Sequence, residues 1–372
     1  MKKILFVCMA LLLVVVAFAC TKVGDEAKWR IWLITDSGTI TDRSFNQGTW
    51  EGVLAFADAN DEVEAHYLRP DTVSDAGYKE AIEIVIEEKH ANVVVTPGFL
   101  FEVAIYEEQT KHPDVYFILI DGEPHSDTGT YKTEENTINV LFKEEQSGFL
   151  AGYAAVQDGF SKLGFVGGQE VPAVVRFGIG YVAGAYYAAN QLSRSIAFPA
   201  SQYWYTGTFG QSPDHVQTVS SWYNTGTDII FAAAGAVGLD VMSAAEHLTN
   251  KYVIGVDVDQ SDQSPTVISS AVKQLAVAVQ RILADLISDN WHGGVTLNYG
   301  ANEDSVGLPT ASASWRWRTF SVSQYVDIVN VLKVGTLVVP TSEALLATFL
   351  ATHCGNPSIE DLIEVTESQA GH

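Results

Sequence analysis

The sequence predicts an α/β protein built on parallel β-sheets. Short apolar runs rich in β-branched and aromatic residues recur along the chain, and a loop and a helical stretch follow each of them. The clearest runs read WRIWLIT, ANVVVTP, VYFILID, KLGFVGG, DIIFAAAG and YVIGVD. Strands that alternate with helices in this way are typical of βαβ units, whose strands pair in parallel.

The alternation of strands and helices runs through the chain twice. A first set of units covers about residues 29–140 and a second about 162–262, and the stretch EEQSGFLAGYAAVQDGF between them predicts a crossover helix. The length of 372 residues also favours two domains, because single hydrophobic cores stop growing near about 250 to 300 residues. Two doubly wound lobes would form a cleft at the carboxyl ends of their strands, where ligands of such folds bind.

The N-terminus has the layout of an export signal. Residues 1–20, MKKILFVCMALLLVVVAFAC, contain two lysines, an apolar run and small residues before a cysteine, and residues 21–28 would form a tether. Ordinary cleavage after Ala19 would leave Cys20 as a free thiol. In the lipoprotein interpretation, which the cysteine and the following polar stretch favour, Cys20 carries the lipid anchor.

The cysteine count leaves one alternative for Cys20. Of three cysteines, Cys8 leaves with the signal, so only Cys20 and Cys354 remain, too few for a disulfide framework or a zinc site. If Cys20 is not lipidated, a disulfide with Cys354 is the alternative. The intact mass of the mature protein separates a diacylglycerol adduct from the loss of two hydrogens.

The negative charge of the chain argues against polyanionic partners. Forty-five acidic residues against 21 basic ones give a net charge of −24, and loss of Lys2 and Lys3 with the signal (−24 − 2) makes it −26. Such a surface repels nucleic acid and anionic lipid, so no phosphate-binding groove is expected.

Polar residues recur where the predicted strands end. The first strand is followed by Asp36, the strand FILI by Asp121 and the strand VIGV by Asp257. Gly235 follows DIIFAAA. Each one alone is explained by the turn after a strand, where Asp and Gly are common. Their recurrence favours a polar site, because ionised carboxylates are rarely buried unless they are paired.

An aromatic and an amide stand at the start of the helix after the first strand. Phe45 and Asn46 open FNQGTWEGVLAFADA, directly after Ser44. A structural interpretation makes Ser44 the N-cap and Phe45 a hydrophobic staple. A functional interpretation, equally compatible with the spacing, places both side chains in the cleft.

Several stretches together resemble the basic membrane protein family of bacterial lipoproteins, which includes the purine nucleoside receptors of ABC transporters. The opening motif is ITDSGTITDRSFNQGTWEG. The others, in chain order, are VVVTPGFLF, HPDVYFILIDG, FKEEQSGFLAGYAA, LGFVGGQEVPAVVRFGIGYVAGA, YTGTF, DIIFAAAGAVG, VIGVDVDQS and VISSAVKQL. The likeness covers nearly the whole mature chain up to about residue 310.

The resemblance implies a type I periplasmic-binding-protein clamshell with two doubly wound lobes joined by a hinge. The expected domains are lobe 1 (29–140 and about 264–298), lobe 2 (141–263 and about 299–350) and a C-terminal tail (351–372).

The resemblance also implies how a purine base is held. Phe45 and Phe209 would stack on opposite faces of the base, which suits a neutral heteroaromatic ring. Asn46 and Asp121 would meet the base edge, with Asp36 on the same rim, because an amide donates and accepts while a carboxylate accepts.

The ribose would be held by different residues. Asp257 and Lys273 would bind its hydroxyls, and Gly235 would let the backbone approach the ligand. Lys273 has an alternative interpretation as a solvated residue at the start of the helix AVKQLAVAVQRILADLI.

The predicted function is that of an envelope-anchored, monomeric solute receptor that delivers a purine nucleoside to an ABC permease and its ATPase, without cofactor or metal. A receptor for riboflavin or another heteroaromatic solute is the first alternative. A nucleoside-processing enzyme and an adhesive surface lipoprotein are the others, and no nucleophile with a paired base supports the enzyme.

Two further motifs are interpreted as structural. GIGYVAG, with Gly178, Gly180 and Gly184, misses the dinucleotide-binding spacing by one residue, which favours close helix packing instead. DVDQSD lacks the glycine and the distal glutamate of a calcium loop, so a turn is expected.

Overall fold

The computed structural model describes residues 27–355 and residue 357. These residues form two α/β lobes, each built on a six-stranded sheet. The predicted signal peptide, most of the tether and Cys20 lie outside the described residues, so their roles stay predictions. Cys354, the possible disulfide partner, is buried at the end of the last helix.

The sheet of lobe 1 is parallel throughout, in the order β11-β5-β4-β3-β1-β2. Its strands are β1 (Trp29–Ile34), β2 (Val63–Leu68), β3 (Val93–Pro97), β4 (Tyr116–Ile120), β5 (Thr137–Phe142) and β11 (Val295–Tyr299). The four strands in the middle of the order are almost entirely buried, which explains why they read as continuous apolar runs rather than alternating ones.

The sheet of lobe 2 has the order β12-β10-β9-β8-β6-β7 and is parallel except for its short edge strand β12. Its strands are β6 (Leu163–Gly167), β7 (Tyr203–Tyr205), β8 (Ile229–Ala233), β9 (Tyr252–Asp257), β10 (Val267–Lys273) and β12 (Val306–Gly307). Five consecutive strands therefore follow the same order in both lobes. This confirms the predicted architectural duplication and the type I clamshell.

Helices cover both faces of the sheets. They are α1 (Phe45–Asp58), α2 (Asp75–Glu83), α3 (Glu102–Lys111), α4 (Glu144–Gln157), α5 (Pro172–Gln191), α6 (Pro213–Thr225), α7 (Val237–Glu246), α8 (Leu275–Ile287), α9 (Val322–Lys333) and α10 (Glu343–His353). In the part of the chain that the structure describes, none of the helices combines the length and the hydropathy needed to cross a bilayer.

Three segments connect the lobes within residues 27–355: one between β5 and α4, one between β10 and α8, and one between β11 and β12. They lie side by side, because Lys143 N–H donates to the Tyr299 carbonyl at 2.9 Å and Gln274 N–H to the Ser305 carbonyl at 2.9 Å.

The expected domain boundary near residue 264, where the chain would re-enter lobe 1, is wrong. β10 pairs with β9 in lobe 2, so the chain leaves that lobe only after Lys273.

Helices α4 and α5 pack at unusually close range because glycines line their contact. A Cβ atom on Gly180 or Gly184 of α5 would overlap the carbonyl oxygen of Glu145 or Phe149 on α4. Gly148 and Gly152 of α4 meet carbonyls of α5 in the same way. The interpretation of GIGYVAG as a helix-packing motif is confirmed.

The segment from about residue 309 to residue 320 fastens onto lobe 2. The Arg316 guanidinium donates to the carbonyls of Ser261, Ser264 and Val267 at 2.7 to 3.1 Å. The buried carboxylate of Asp158, beside the end of α4, accepts from the backbone and side chains of residues 318–320. These bonds make a stretch without regular structure part of the lobe.

Candidate functional site

A cavity of about 500 Å³ lies between the lobes, where the carboxyl ends of both sheets face each other. Residues just after β1, β2, β3 and β4 line it from lobe 1. From lobe 2, residues shortly after β6 and β7 and the ends of β8, β9 and β10 line it. All the residues that the sequence singled out as ligand-binding line this one cavity: Asp36, Phe45, Asn46, Asp121, Phe209, Gly235, Asp257 and Lys273.

One group of these residues surrounds the ammonium of Lys273. The Nζ atom bonds to Asp121 of lobe 1, lies 3.3 Å from Asp257 Oδ1 and lies 3.7 Å from Glu144 Oε1. Lys273 ends β10 and is buried, so its alternative interpretation as a solvated helix residue is wrong. The group joins the two lobes, because Asp121 follows β4 and the other residues belong to lobe 2.

The Lys273 ammonium and the carboxylates around it stabilise each other's charged forms. Burial alone would lower the pKa of Lys273, but Asp121, Asp257 and Glu144 outweigh that effect and raise the pKa above its ordinary value. Burial raises the pKa of Asp121 to about 7, against the opposing effect of the Lys273 ammonium. The Oδ1 atom of Asp121 is buried without a hydrogen-bond partner among the described residues, so it can still accept a bond from a ligand.

A second group lies at the end of β1. Asn46 Nδ2 donates to Asp36 Oδ1 and to Asp42 Oδ2, both at 2.8 Å, and Asn46 Oδ1 accepts from the Asp36 N–H at 3.1 Å. Both amide hydrogens of Asn46 are therefore used within the protein. Toward a ligand, Asn46 can only accept, which narrows its predicted role as donor and acceptor.

Asp42, rather than Ser44, caps helix α1. Its carboxylate accepts from the N–H groups of Ser44, Asn46 and Gln47 at 2.9 to 3.1 Å. Ser44 occupies the N-cap position, as in the structural interpretation, but its hydroxyl makes no cap bond and donates instead to Asp257 Oδ2 across the cleft at 2.5 Å. Gln260 Nε2 adds a second bond between the lobes, to the carbonyl of Arg43 at 2.7 Å.

Phe45 is the first residue of α1 and contributes both to the core and to the cavity. Its ring is half-buried and packs against the main hydrophobic cluster. The ammonium of Lys273 lies 4.5 Å from the centre of the ring, a distance that favours a cation–π interaction. The structural and the functional interpretations of Phe45 are thus compatible.

Phe209 lies in the loop between β7 and α6 of lobe 2, and contacts on both sides fix this loop. Its ring lies against Gly168, and a Cβ atom on Gly235 would approach Phe209 Cβ to 3.3 Å. Gly235 has a positive φ of 57°, which glycine adopts without cost. Behind the loop, the buried carboxylate of Asp240 accepts from Gln211 Nε2 and the Ser212 N–H and lies 2.9 Å from His215 Nδ1.

The replacement Asp36→Asn is expected to stabilise the ligand-free protein. Burial, with a smaller contribution from the charges of Asp42 and Asp257, raises the pKa of Asp36 from 3.8 to about 6. A carboxyl group with a higher pKa in the folded than in the unfolded protein binds more protons when folded. Its contribution to stability is therefore present at acid pH and is lost as the pH rises through about 6.

Urea unfolding between pH 4 and pH 8 measures this effect. At pH 7.5 the free energy of unfolding of the Asn variant should be about 1 kcal/mol higher than that of the parent protein. Between about pH 4 and 6 this free energy should change less in the variant than in the parent. The exposed Asp61 before β2 provides the matched control, since Asp61→Asn should change neither quantity. A less stable Asp36→Asn protein at pH 7.5 would contradict the expected penalty.

Sequence reasoning missed four polar residues of the site. Asp42 and Ser44 lie in the loop before α1, Glu144 opens α4 behind Lys273, and Arg69 lines the cavity after β2. The run of Asp and Thr between β1 and α1 was a usable signal for Asp42. Nothing in the local sequence marks Arg69 or Glu144.

A family model matches most of the chain, including the residues that line the cavity. The model described as "ABC transporter substrate-binding protein PnrA-like", with the short name Bmp, matches residues 31–338. The match begins in β1 and ends after α9, so it includes every residue that lines the cavity.

Known proteins are similar over most of this length. Basic membrane protein D of Borreliella burgdorferi is 32% identical and covers 78% of this chain and 82% of its own. The ABC transporter nucleoside-binding protein BmpA of Lactococcus lactis is 26% identical and covers 83% of this chain and 88% of its own. A solved ABC solute-binding protein from Aeropyrum pernix, 20% identical, superposes with a TM-score of 0.71 over 91% of this chain and 99% of its own.

Proposed function

The chain belongs to the Bmp family of PnrA-like ABC transporter substrate-binding proteins, and from this premise we propose that it is an exported receptor that binds a purine nucleoside between its lobes. Membership of this family implies a small-molecule ligand and, as partners, a membrane permease and its ATPase. The matching family is one of substrate-binding proteins, which supports a receptor rather than an enzyme. The name of the lactococcal relative supports a nucleoside ligand.

The observation that carries the proposal is the pairing of two aromatic rings from opposite lobes in one cavity. Phe45 enters from lobe 1 and Phe209 from lobe 2. Aromatic rings on both faces suit a flat heteroaromatic base, and base stacking contributes about 1–3 kcal/mol. Lys273 already occupies a position over the Phe45 ring, so a base would take the other face.

The polar groups divide the cavity into two ends that match the two parts of a nucleoside. Asp257, Lys273 and the free oxygen of Asp121 offer both donors and acceptors, the combination that ribose hydroxyls require. Asp36 and the Asn46 carbonyl offer acceptors only, which suit the N–H groups of a base edge. We therefore propose that Asp121 binds the ribose, and not the base edge as the family resemblance implies.

Bonds between the lobes define the closed arrangement that the permease would recognise. Ser44 reaches Asp257, Gln260 reaches the Arg43 carbonyl and Lys273 reaches Asp121. A ligand that contacts both lobes adds its own free energy to these bonds and shifts the population toward closure.

Two measurements test the ligand. Small molecules released on denaturing the purified mature protein are identified by mass spectrometry, and the ligand-free protein is then titrated calorimetrically with inosine, guanosine, adenosine and riboflavin. Recovery or tight binding of a purine nucleoside supports the proposal. Binding of riboflavin alone would overturn the nucleoside assignment, no ligand would favour an adhesive lipoprotein, and turnover of nucleosides would favour an enzyme.

The replacement Phe45→Ala is expected to lower nucleoside affinity by about 1–3 kcal/mol, because one stacking surface is lost. Calorimetric titration with the preferred nucleoside measures the loss. Tyr131→Ala removes an aromatic ring of lobe 1 that is 64% exposed and does not line the cavity, so it should leave affinity unchanged. Unchanged affinity in Phe45→Ala would restrict Phe45 to its packing role.

We place the mature protein in the cell envelope, anchored through lipidated Cys20. The signal-like N-terminus supports export, and transport by an ABC permease requires a receptor outside the cytoplasm. The intact mass of the mature protein tests the anchor, because a diacylglycerol adduct on Cys20 and a disulfide to Cys354 change the mass in opposite directions.

A further inference from the structure

Two cationic side chains line the cavity within the described part of the chain, and they differ in their surroundings. Lys273 is buried among carboxylates. Arg69 is exposed and follows β2, an edge strand of the lobe 1 sheet. None of the hydrogen bonds or ion pairs among residues 27–355 involves its side chain. An unpaired guanidinium that faces a cavity rich in carboxylates is available to a ligand.

The backbone fixes where Arg69 stands. It directly follows β2, which pairs with β1, and the Thr35 N–H donates to the Leu68 carbonyl at 3.0 Å. Arg69 and Asp36 therefore follow adjacent strands, whose axes are about 4.8 Å apart. Pro70 restricts the residue before it to extended conformations, so Arg69 continues the direction of the strand toward the cavity.

The order of strands separates Arg69 from the ribose end. Along the sheet, β4 with Asp121 is followed by β3, β1 with Asp36, and β2 with Arg69. If the ribose is held at Asp121 and Lys273, the edge of the base farthest from the sugar lies near Asp36 and Arg69. In a purine, that edge carries N1 and the substituent at position 6.

We propose that Arg69 reads the 6-position of the base and makes the site prefer 6-oxopurine nucleosides, such as inosine and guanosine, over adenosine. A 6-oxopurine presents the N1–H donor beside the O6 acceptor, which match the acceptors at Asp36 and the donors of Arg69. Adenine presents an acceptor at N1 and a donor at N6, the reverse order. Arginine is the side chain that most commonly recognises the O6 and N7 atoms of guanine.

The inference rests on the proposed nucleoside function, so its test compares nucleosides that differ at this edge. Dissociation constants for inosine and adenosine are measured by calorimetry with the parent protein and with Arg69→Met. Inosine should bind the parent about ten-fold or more tightly than adenosine. Arg69→Met should remove most of that preference by weakening inosine about ten-fold while changing adenosine by less than about three-fold.

Arg194→Met is the matched control. Arg194 is exposed after α5 and does not line the cavity, so its loss changes the net charge equally and should preserve the preference. If Arg69→Met weakens both nucleosides equally, or if the parent prefers adenosine, the inference is wrong and the receptor function stands. If neither nucleoside binds the parent protein, the proposed function itself is wrong.

Discussion

Replacing Lys273 with methionine is expected to abolish ligand binding and to lower the free energy of unfolding by about 3–5 kcal/mol. Methionine fills similar space but leaves the carboxylates of Asp121 and Asp257 together without their ammonium, while Glu144 keeps its ion pair with Arg176 at 2.7 Å. Removing one partner of a buried ionic group leaves uncompensated charge, which costs more than the group contributed when complete. The same substitution removes a predicted contact to the ribose.

Urea unfolding and calorimetric titration measure the two effects of Lys273→Met separately. Lys79→Met is the matched control, because Lys79 forms a partly exposed pair with Glu107 at 2.7 Å and its loss should cost less than about 1 kcal/mol. Adding Asp121→Asn to the Lys273→Met protein reduces the unpaired charge and should restore part of the stability but not the binding. A single variant as stable as the parent would show that the cluster is not electrostatically coupled.

The replacement Gly184→Ala is expected to lower the free energy of unfolding by about 3 kcal/mol. The added methyl group would overlap the carbonyl oxygen of Phe149, which belongs to the backbone of α4 and has no rotamer with which to move away. Overpacking in a well-filled interior typically costs about 1–3 kcal/mol, and backbone contact places this position at the upper end. Helices α4 and α5 would have to separate.

Gly238→Ala on α7 is the control for this substitution. The nearest atom to its new Cβ would be Ala232 Cβ at 4.0 Å, so the methyl group fits without a clash. Alanine has the higher helix propensity, and this control should gain up to about 1 kcal/mol. Equal unfolding free energies for the two variants, measured by urea denaturation, would contradict the assignment of Gly184 to a backbone contact.

The sequence contained most of the fold because the fold depends on local patterns repeated many times. The apolar runs predicted every strand that carries a cavity-lining carboxylate, and the second set of units matched the first in order. The membership of β10 was not predictable in this way. Residues 267–273 were not among the predicted strands, because AVKQLAVAVQRILADLI was interpreted as a helix that starts at Ala271. Only the pairing with β9, a long-range contact, makes them a strand of lobe 2.

The site was predictable where it follows the ends of strands. Asp36, Asp121 and Asp257 were found because parallel strands bring their carboxyl ends to one edge. Asp121 and Asp257 have positive φ values of 57° and 64°, a conformation that aspartate tolerates and that turns the chain sharply after the strand. The interactions among them were not predictable, because the burial of Lys273 depends on how the lobes face each other.

The interleaved path of the chain has a consequence for how the protein folds. The edge strand β11 completes the lobe 1 sheet by pairing with β5, and the hydrogen-bonded residues Asn139 and Thr296 are 157 residues apart. Closing so long a segment costs entropy before its contacts form, which slows folding. Lobe 1 therefore lacks β11 and α8 until nearly 300 residues have been synthesised. For the exported protein that we propose, this delay keeps the first lobe incompletely folded until its last strand has been made.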